Sequence, residues 1–244
     1  MSENQIWSIN NGYFTPFKIN ISRNAEYVLS ILKDIRITPD QSIYLRGSFL
    51  ESNKLYPSSD IDIFLVSENF ETKSVDEIKN KLNFTNRNIE IVLLSKNQIK
   101  NSPYHRLLLH TRSLLISGKK INFEPVKADL ETMRDHLFHY KPFMLAPHLS
   151  KNKNIRIIQL KQITRAYGIL YFLYQNEFSR DIQTCSNWAK EINYSAGVFL
   201  EEMWSTIDFT SSYETVDLSF IKNSFIQDSK HAIDLYLKRS KTSP

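Results

Sequence analysis

Residues 43–66 read IYLRGSFLESNKLYPSSDIDIFLV, and this stretch decides the fold. A first apolar run ends at Gly47-Ser48, and a second apolar run, after a polar connector, carries two carboxylates, Asp60 and Asp62. Because side chains alternate between the two faces of a strand, both aspartates point to one face and the isoleucines point to the other. Two neighbouring carboxylates repel each other, and Mg²⁺ relieves that repulsion because it prefers oxygen ligands. The stretch therefore predicts two strands and a metal-binding pair of carboxylates.

A third acid lies in the next apolar run. Residues 87–95 read RNIEIVLLS, and Glu90 is the acid inside them. Glutamate is uncommon in strands, and inside a run of Ile, Val and Leu it needs a reason to be there. Beside the strand of Asp62, Glu90 would add a third oxygen ligand or a general base. For the Asp-x-Asp pair taken alone, a plain hairpin with solvated aspartates is the alternative interpretation.

The order and spacing of these three parts resemble the polymerase-β-like nucleotidyltransferase superfamily, over residues 22–95. The resemblance implies that the glycine and the serine hold a nucleoside triphosphate, and that the paired aspartates bind the Mg²⁺ that carries it. It also implies that the third carboxylate completes the metal site or acts as base on the acceptor hydroxyl. Such transfers depend on positioning and charge neutralisation more than on covalent chemistry. The implied site residues are Gly47, Ser48, Asp60, Asp62 and Glu90.

Two neighbours of Gly47 carry expectations of their own. Ser48 is expected to begin a short helix over 49–56, whose N-terminal amides would receive phosphate oxygens. Arg46 directly precedes the glycine, and we expect it to be an ordinary surface residue.

The first half of the chain predicts helix, strand, strand, helix, strand and helix. Its last helix is expected to open at Ser102-Pro103, a cap residue followed by proline, and to run to about residue 116. After residue 128 strands are expected to disappear, and prolines at 142 and 147 are expected to break a helix over 129–140. The predicted fold class is α+β, a small mixed-sheet nucleotidyltransferase domain followed by an all-helical bundle. The predicted domains are residues 1–125, which are catalytic, and residues 126–244, which are helical. The other predicted helices cover residues 22–35, 75–82, 154–176, 181–192, 196–204 and 216–239.

The second half narrows the resemblance. Residues 160–165 read LKQITR, residues 179–180 read SR and residues 188–189 read WA. This order resembles the helical domain of bacterial aminoglycoside adenylyltransferases of the streptomycin and spectinomycin type, in which two basic residues reach across the cleft to the triphosphate. Arg165 matches the first of them. Arg180 matches the second, although that family has lysine there and a slightly shorter spacing. The resemblance implies that ATP binds between the two domains.

Composition narrows the class of protein. The chain has 244 residues and a formal net charge of +5, which suits an enzyme of polyanionic nucleotides without proving nucleic-acid binding. Its single cysteine, Cys185, excludes an internal disulfide and suits a reducing compartment. The polar first eleven residues lack the apolar core of a signal peptide, and the longest apolar run, 166–174, is too short to span a bilayer. We therefore expect a cytoplasmic protein without a membrane partner.

The predicted activity is the Mg²⁺-dependent transfer of AMP from ATP to a hydroxyl of a small molecule. By resemblance, the first-choice acceptor is an aminoglycoside antibiotic, so the predicted role is antibiotic resistance. One alternative is a toxin or defence nucleotidyltransferase that acts on tRNA or protein. Another is a non-catalytic antitoxin-type binding protein with the same fold. Acidic residues that would line the site of a cationic acceptor, or equally a solvated helix face, are Glu201, Glu202, Asp208, Glu214 and Asp217.

Overall fold

A computed structural model describes most of the chain, and the chain divides into two compact units. Tyr13–Lys127 forms the first, which we call the sheet unit. Met1–Gly12 and Ala128–Pro244 form the second, which we call the helical unit. The residues left undescribed are 1–5, 17–20, 22, 48, 50–59, 70–71, 86, 146–152, 207–216 and 243–244. The predicted phosphate ligand Ser48 and the predicted helix over 49–56, apart from Phe49, therefore lie outside the described residues.

Both strands and helices occur in the described chain, as the predicted α+β class requires. The strands are β1 (Ile6–Trp7), β2 (Ile9–Asn10), β3 (Tyr13–Phe14), β4 (Ser42–Arg46), β5 (Ile61–Val66), β6 (Ile89–Leu94), β7 (Ser113–Gly118) and β8 (Phe178–Ser179). The helices are α1 (Arg23–Lys33), α2 (Thr72–Leu82), α3 (Lys96–Asn101), α4 (Pro103–Arg112), α5 (Leu130–Leu145), α6 (Lys153–Gln175), α7 (Ile182–Ile192), α8 (Tyr194–Thr206) and α9 (Ser219–Thr242).

The sheet unit contains a four-stranded sheet in the order β6-β5-β4-β7. Strands β5 and β6 are parallel, whereas β4 is antiparallel to both of its neighbours. Ile61, Ile63 and Leu65 of β5 are fully buried in one apolar core together with Ala25 and Leu32 of α1. Burial of this apolar face fixes which way every side chain of β5 points, because a shift by one residue would expose the isoleucines.

Strand β7 replaces the end of a predicted helix. Helix α4 begins at Pro103, with Ser102 as its cap, but it ends at Arg112 rather than near residue 116. Residues Ser113–Gly118 instead pair with β4. A short Leu-Leu-Ile run does not distinguish a helix from a strand by periodicity, so the partner strand far away in the sequence decides. Gly118 ends the strand at φ +91°, where an added Cβ would lie 2.2 Å from the Gln41 carbonyl oxygen.

The first residues of the chain pack on the helical unit. Strand β1 pairs with β8, which places Ile6 opposite Ser179 and Trp7 opposite Phe178. The prediction that strands disappear after residue 128 is therefore wrong at β8. By packing, residues 6–12 group with the helical unit. The assignment of residues 1–125 to a catalytic domain stays a prediction.

Helix α5 also departs from the prediction, because it continues through Pro142 to Leu145. A proline inside a helix removes one backbone hydrogen bond, here the bond to the carbonyl of Phe138. Phe138 is 67% exposed, so water can take the place of the missing donor. Among the described residues, no helix combines the length and the apolar character needed to cross a membrane.

Candidate active site

Three charged side chains lie in register across the sheet. Arg46 of β4 pairs with Asp62 of β5, and Asp62 pairs with Glu90 of β6. Directly paired residues of neighbouring strands share a face, so the order across the sheet is one guanidinium and two carboxylates. We call these three residues the charged row. Asp60 lies two residues before Asp62, immediately ahead of β5, and is half-buried.

The pleat of β5 explains why the row faces away from the core. Ile61 and Ile63 flank Asp62 and are fully buried in the apolar core on the other face. Asp62 is half-buried and Glu90 is exposed. The alternation that the sequence predicts is thus present, and parallel pairing brings Glu90 beside Asp62 as expected.

Gly47 lies directly against the carboxylate of Asp62. Its φ of +85° is a left-handed conformation that side chains rarely adopt, and an added Cβ would lie 2.3 Å from Asp62 Oδ2. Any residue other than glycine would therefore collide with the carboxylate. The contact between Gly47 and a phosphate stays a prediction.

The donor set of this face suits Mg²⁺, the cation that the sequence resemblance implies. All the candidate ligands are carboxylate oxygens, and Asp60 and Asp62 are half-buried whereas Glu90 is exposed. Within the described residues, no three His, Cys, Asp or Glu side chains are gathered closely enough to hold a metal. Mg²⁺ does not need three, because it is usually held by one or two carboxylates, water and substrate phosphates. Asp60 and Asp62 can supply that pair, with Glu90 beside them.

The expectation for Arg46 is wrong. Its side chain is half-buried, and its guanidinium carbon lies 4.3 Å from the centroid of the Phe64 ring, on the face of the charged row. Sequence reasoning missed this because the strand that pairs with β4 cannot be read from local spacing. The alternation from Asp62 to Phe64 is the signal that would have placed an aromatic ring on the same face.

The helical unit brings its two predicted phosphate-binding arginines together. Arg165 Nε of α6 donates a hydrogen bond to the backbone carbonyl of Arg180, at 3.2 Å. Arg180 Nε in turn donates to the Tyr140 hydroxyl oxygen, at 2.9 Å. Both arginines are half-buried, and Tyr140 is buried. The structure thus links the Arg165 side chain to the backbone of Arg180, fifteen positions later in the sequence.

Two titratable side chains lie beside this pair. Burial lowers the pKa of His139, and Arg180 lowers it further, against the opposing effect of Asp135 at 3.9 Å. Burial raises the pKa of the Cys185 thiol to about 12, and that thiol donates to the Ser179 carbonyl at 3.4 Å. Cys185 is thus a packed residue and no nucleophile.

The predicted acidic side chains of the helical unit are dispersed. Glu201 forms an ion pair with Lys190, and Glu202 and Asp217 are exposed. Asp208 and Glu214 lie outside the described residues. The acidic wall for a cationic acceptor therefore stays a prediction.

The described residues combine a mixed sheet, which carries carboxylates on two adjacent strands, with a separate helical unit. The chain is similar to the spectinomycin adenyltransferase AAD(9) from Enterococcus faecialis, whose crystal structure was solved with ATP and spectinomycin. The TM-score is 0.58 at 12% sequence identity, and the match covers 84% of this chain and 99% of that chain. No protein-family model and no curated protein matches the sequence. The likeness confirms the predicted resemblance at the level of fold.

Proposed function

We propose that the protein is a Mg²⁺-dependent nucleotidyltransferase that moves AMP from ATP to a hydroxyl of a small molecule. The charged row beside Gly47 carries this proposal, because it concentrates carboxylates where a nucleotide-bound cation is needed. The fold adds support, since the similar enzyme was solved with ATP and with spectinomycin. We therefore propose an aminoglycoside-type antibiotic as acceptor, with spectinomycin first, and a role in antibiotic resistance.

Each site residue has a proposed role. Asp60 and Asp62 hold Mg²⁺, and Gly47 and Ser48 hold the phosphates. When bound, the cation neutralises charge on the phosphate oxygens. Glu90 is the base or an additional ligand.

The reaction exchanges one phosphorus–oxygen bond for another. The acceptor oxygen attacks the α-phosphorus, and the bond from that phosphorus to the bridging oxygen breaks. Pyrophosphate leaves with the electron pair of the broken bond, and Glu90 takes the hydroxyl proton. ATP consumption and a single buried thiol suit the cytoplasm, where we expect the protein to act.

Labelled transfer tests the proposal. ATP labelled at the α-phosphate is incubated with the protein and Mg²⁺, in parallel with spectinomycin, streptomycin, further aminoglycosides and total tRNA. We expect label on one of the drugs, and no label when Mg²⁺ is removed with a chelator. Label on tRNA alone would contradict the small-molecule acceptor. Absence of label from every acceptor, with ATP still bound, would contradict the transfer activity on these acceptors.

Arg165 and Arg180 are proposed to bind the triphosphate, and Arg165→Gln tests this. Hydrogen bonds to charged groups contribute about 1.5–3 kcal/mol, so we expect the KM for ATP to rise about tenfold to a hundredfold. The control is Arg134→Gln, which removes the same charge from an exposed position on α5. An equal KM in both variants would contradict the binding of the triphosphate by Arg165.

A further inference from the structure

Arg46 belongs to the charged row, but the function proposed above assigns a role only to the carboxylates of that row. Its register partners are Asp62 on one side and Ser113 on the other, and its guanidinium lies over the ring of Phe64. Burial of an arginine side chain costs more free energy than burial of these other residues, because the guanidinium group cannot lose its charge in a protein. A half-buried guanidinium at this place therefore needs a partner.

Neutralising the carboxylates is the simplest structural role for Arg46. That role predicts an ion pair with Asp62, its direct neighbour in the sheet. In the part of the chain that the structure describes, neither Arg46 nor Asp62 takes part in an ion pair. The guanidinium lies over Phe64 instead, at 4.3 Å. The structure therefore separates the guanidinium from the carboxylate that it would be expected to neutralise.

The contact with the Phe64 ring does not provide hydrogen-bond acceptors for the N–H groups of Arg46. An aromatic face attracts a cation by its quadrupole, but it does not replace the oxygen acceptors that the five N–H groups prefer. The buried Nε of Arg46 has no hydrogen-bond acceptor among the described residues. Buried polar groups in native proteins almost always have partners, so an exception points to an acceptor that arrives with a ligand.

The position of Arg46 indicates the chemistry of that ligand. The acceptor must be anionic, and it must lie next to Gly47, because Gly47 follows Arg46 directly and contacts Asp62. A phosphate oxygen meets both conditions, since a cation held by Asp62 would bring phosphate to this face. Guanidinium groups bind phosphate through two parallel hydrogen bonds, and Phe64 restricts the plane of this one.

We propose that Arg46 binds the phosphate chain of the nucleotide and is a further substrate-contacting residue of the site. This inference rests on the proposed function for the identity of the nucleotide. It adds a cation on strand β4, in the sheet unit itself, to the arginines already predicted on the helical unit.

The test measures binding, not transfer. Titration calorimetry with Mg²⁺ and ATP compares the wild type with Arg46→Gln, Arg46→Lys and Arg36→Gln. Arg36 is exposed in the same unit, so Arg36→Gln matches the charge change. We expect Arg46→Gln to weaken binding about tenfold to a hundredfold. Arg46→Lys should recover part of the loss, because it keeps the charge over Phe64 but not the planar fork. Arg36→Gln should stay within about twofold of the wild type.

The possible outcomes separate this inference from the proposed function. Unchanged binding by a folded Arg46→Gln would overturn the role of Arg46, while transfer by the wild type would still support the enzyme. Weakened binding in a protein that labels no acceptor would support Arg46 and contradict the transferase. Should Arg46→Gln fail to fold, the comparison of Arg46→Lys with Arg36→Gln decides, and equal affinities would overturn the role. A wild type that binds no ATP would overturn both.

Discussion

Asparagine in place of Asp62 is expected to lower the rate of nucleotide transfer by about a thousandfold or more. The amide keeps the size of the carboxylate but removes the charge. A bound cation stabilises the transition state by several kcal/mol, and each 1.36 kcal/mol that is lost lowers the rate about tenfold. The measurement is kcat/KM for label transfer to the acceptor found in the panel.

The thermal stability of Asp62→Asn should not fall together with its activity. Asp62 and Glu90 lie side by side, and removal of one of two like charges relieves their repulsion. We therefore expect the Tm of Asp62→Asn to equal or exceed that of the wild type, a common result where a site is built for function. Asp76→Asn is the control, since Asp76 is exposed on α2. Full activity in Asp62→Asn would contradict the metal role, and a lower Tm would point to a structural one.

Alanine in place of Trp7 should produce the largest loss of stability. Trp7 is 1% exposed, and its ring packs edge-on against Phe178 at 5.1 Å and lies 6.5 Å from the His136 ring. Truncation of a buried Trp or Phe to Ala costs about 3–5 kcal/mol, which is a large part of the stability of a typical domain. Since β1 pairs with β8, and Arg180 follows β8, the change should also weaken ATP binding.

Tryptophan fluorescence during urea denaturation measures this effect in the right unit. All three tryptophans of the chain lie in the helical unit, and Trp188 and Trp204 remain in the variant. The matched control is Tyr194→Ala, because Tyr194 is 73% exposed, and it should change the free energy of unfolding by less than about 0.5 kcal/mol. A similarly small change in Trp7→Ala would contradict the packing of β1 on the helical unit.

Prediction from the sequence was correct where a local pattern is compatible with only one secondary structure. The alternation through Asp60 and Asp62 specified a strand with the aspartates on the face opposite the isoleucines. Strand β5 has that arrangement at Asp62, although Phe64 and Val66 on the aspartate face are buried as well. The capped start of α4 at Ser102 and Pro103 was also correct. Long apolar periodicity placed α6 to within one residue at each end, over Lys153–Gln175.

Prediction from the sequence was wrong where a segment distant in the sequence determines the local structure. Strand β7 has a sequence that suits either helix or strand, and pairing with β4 selected the strand. The two-residue strand β8 exists because β1 pairs with it, from more than 170 positions earlier in the sequence. Arg46 looked like a surface residue because its partners, Asp62 and Phe64, lie on another strand.

The sequence by itself determined the fold class and the strand that carries Asp62, because both follow from the local alternation of apolar and polar residues. Only the tertiary structure decided which charges meet. Strand register placed Arg46, Asp62 and Glu90 in one row. Packing within the helical unit joined Arg165 to Arg180, and Arg180 to Tyr140. The physical reason is that strand register and helix packing minimise the exposure of apolar faces over the whole chain. No single segment of the sequence determines that result, because it depends on partners that are distant in the sequence.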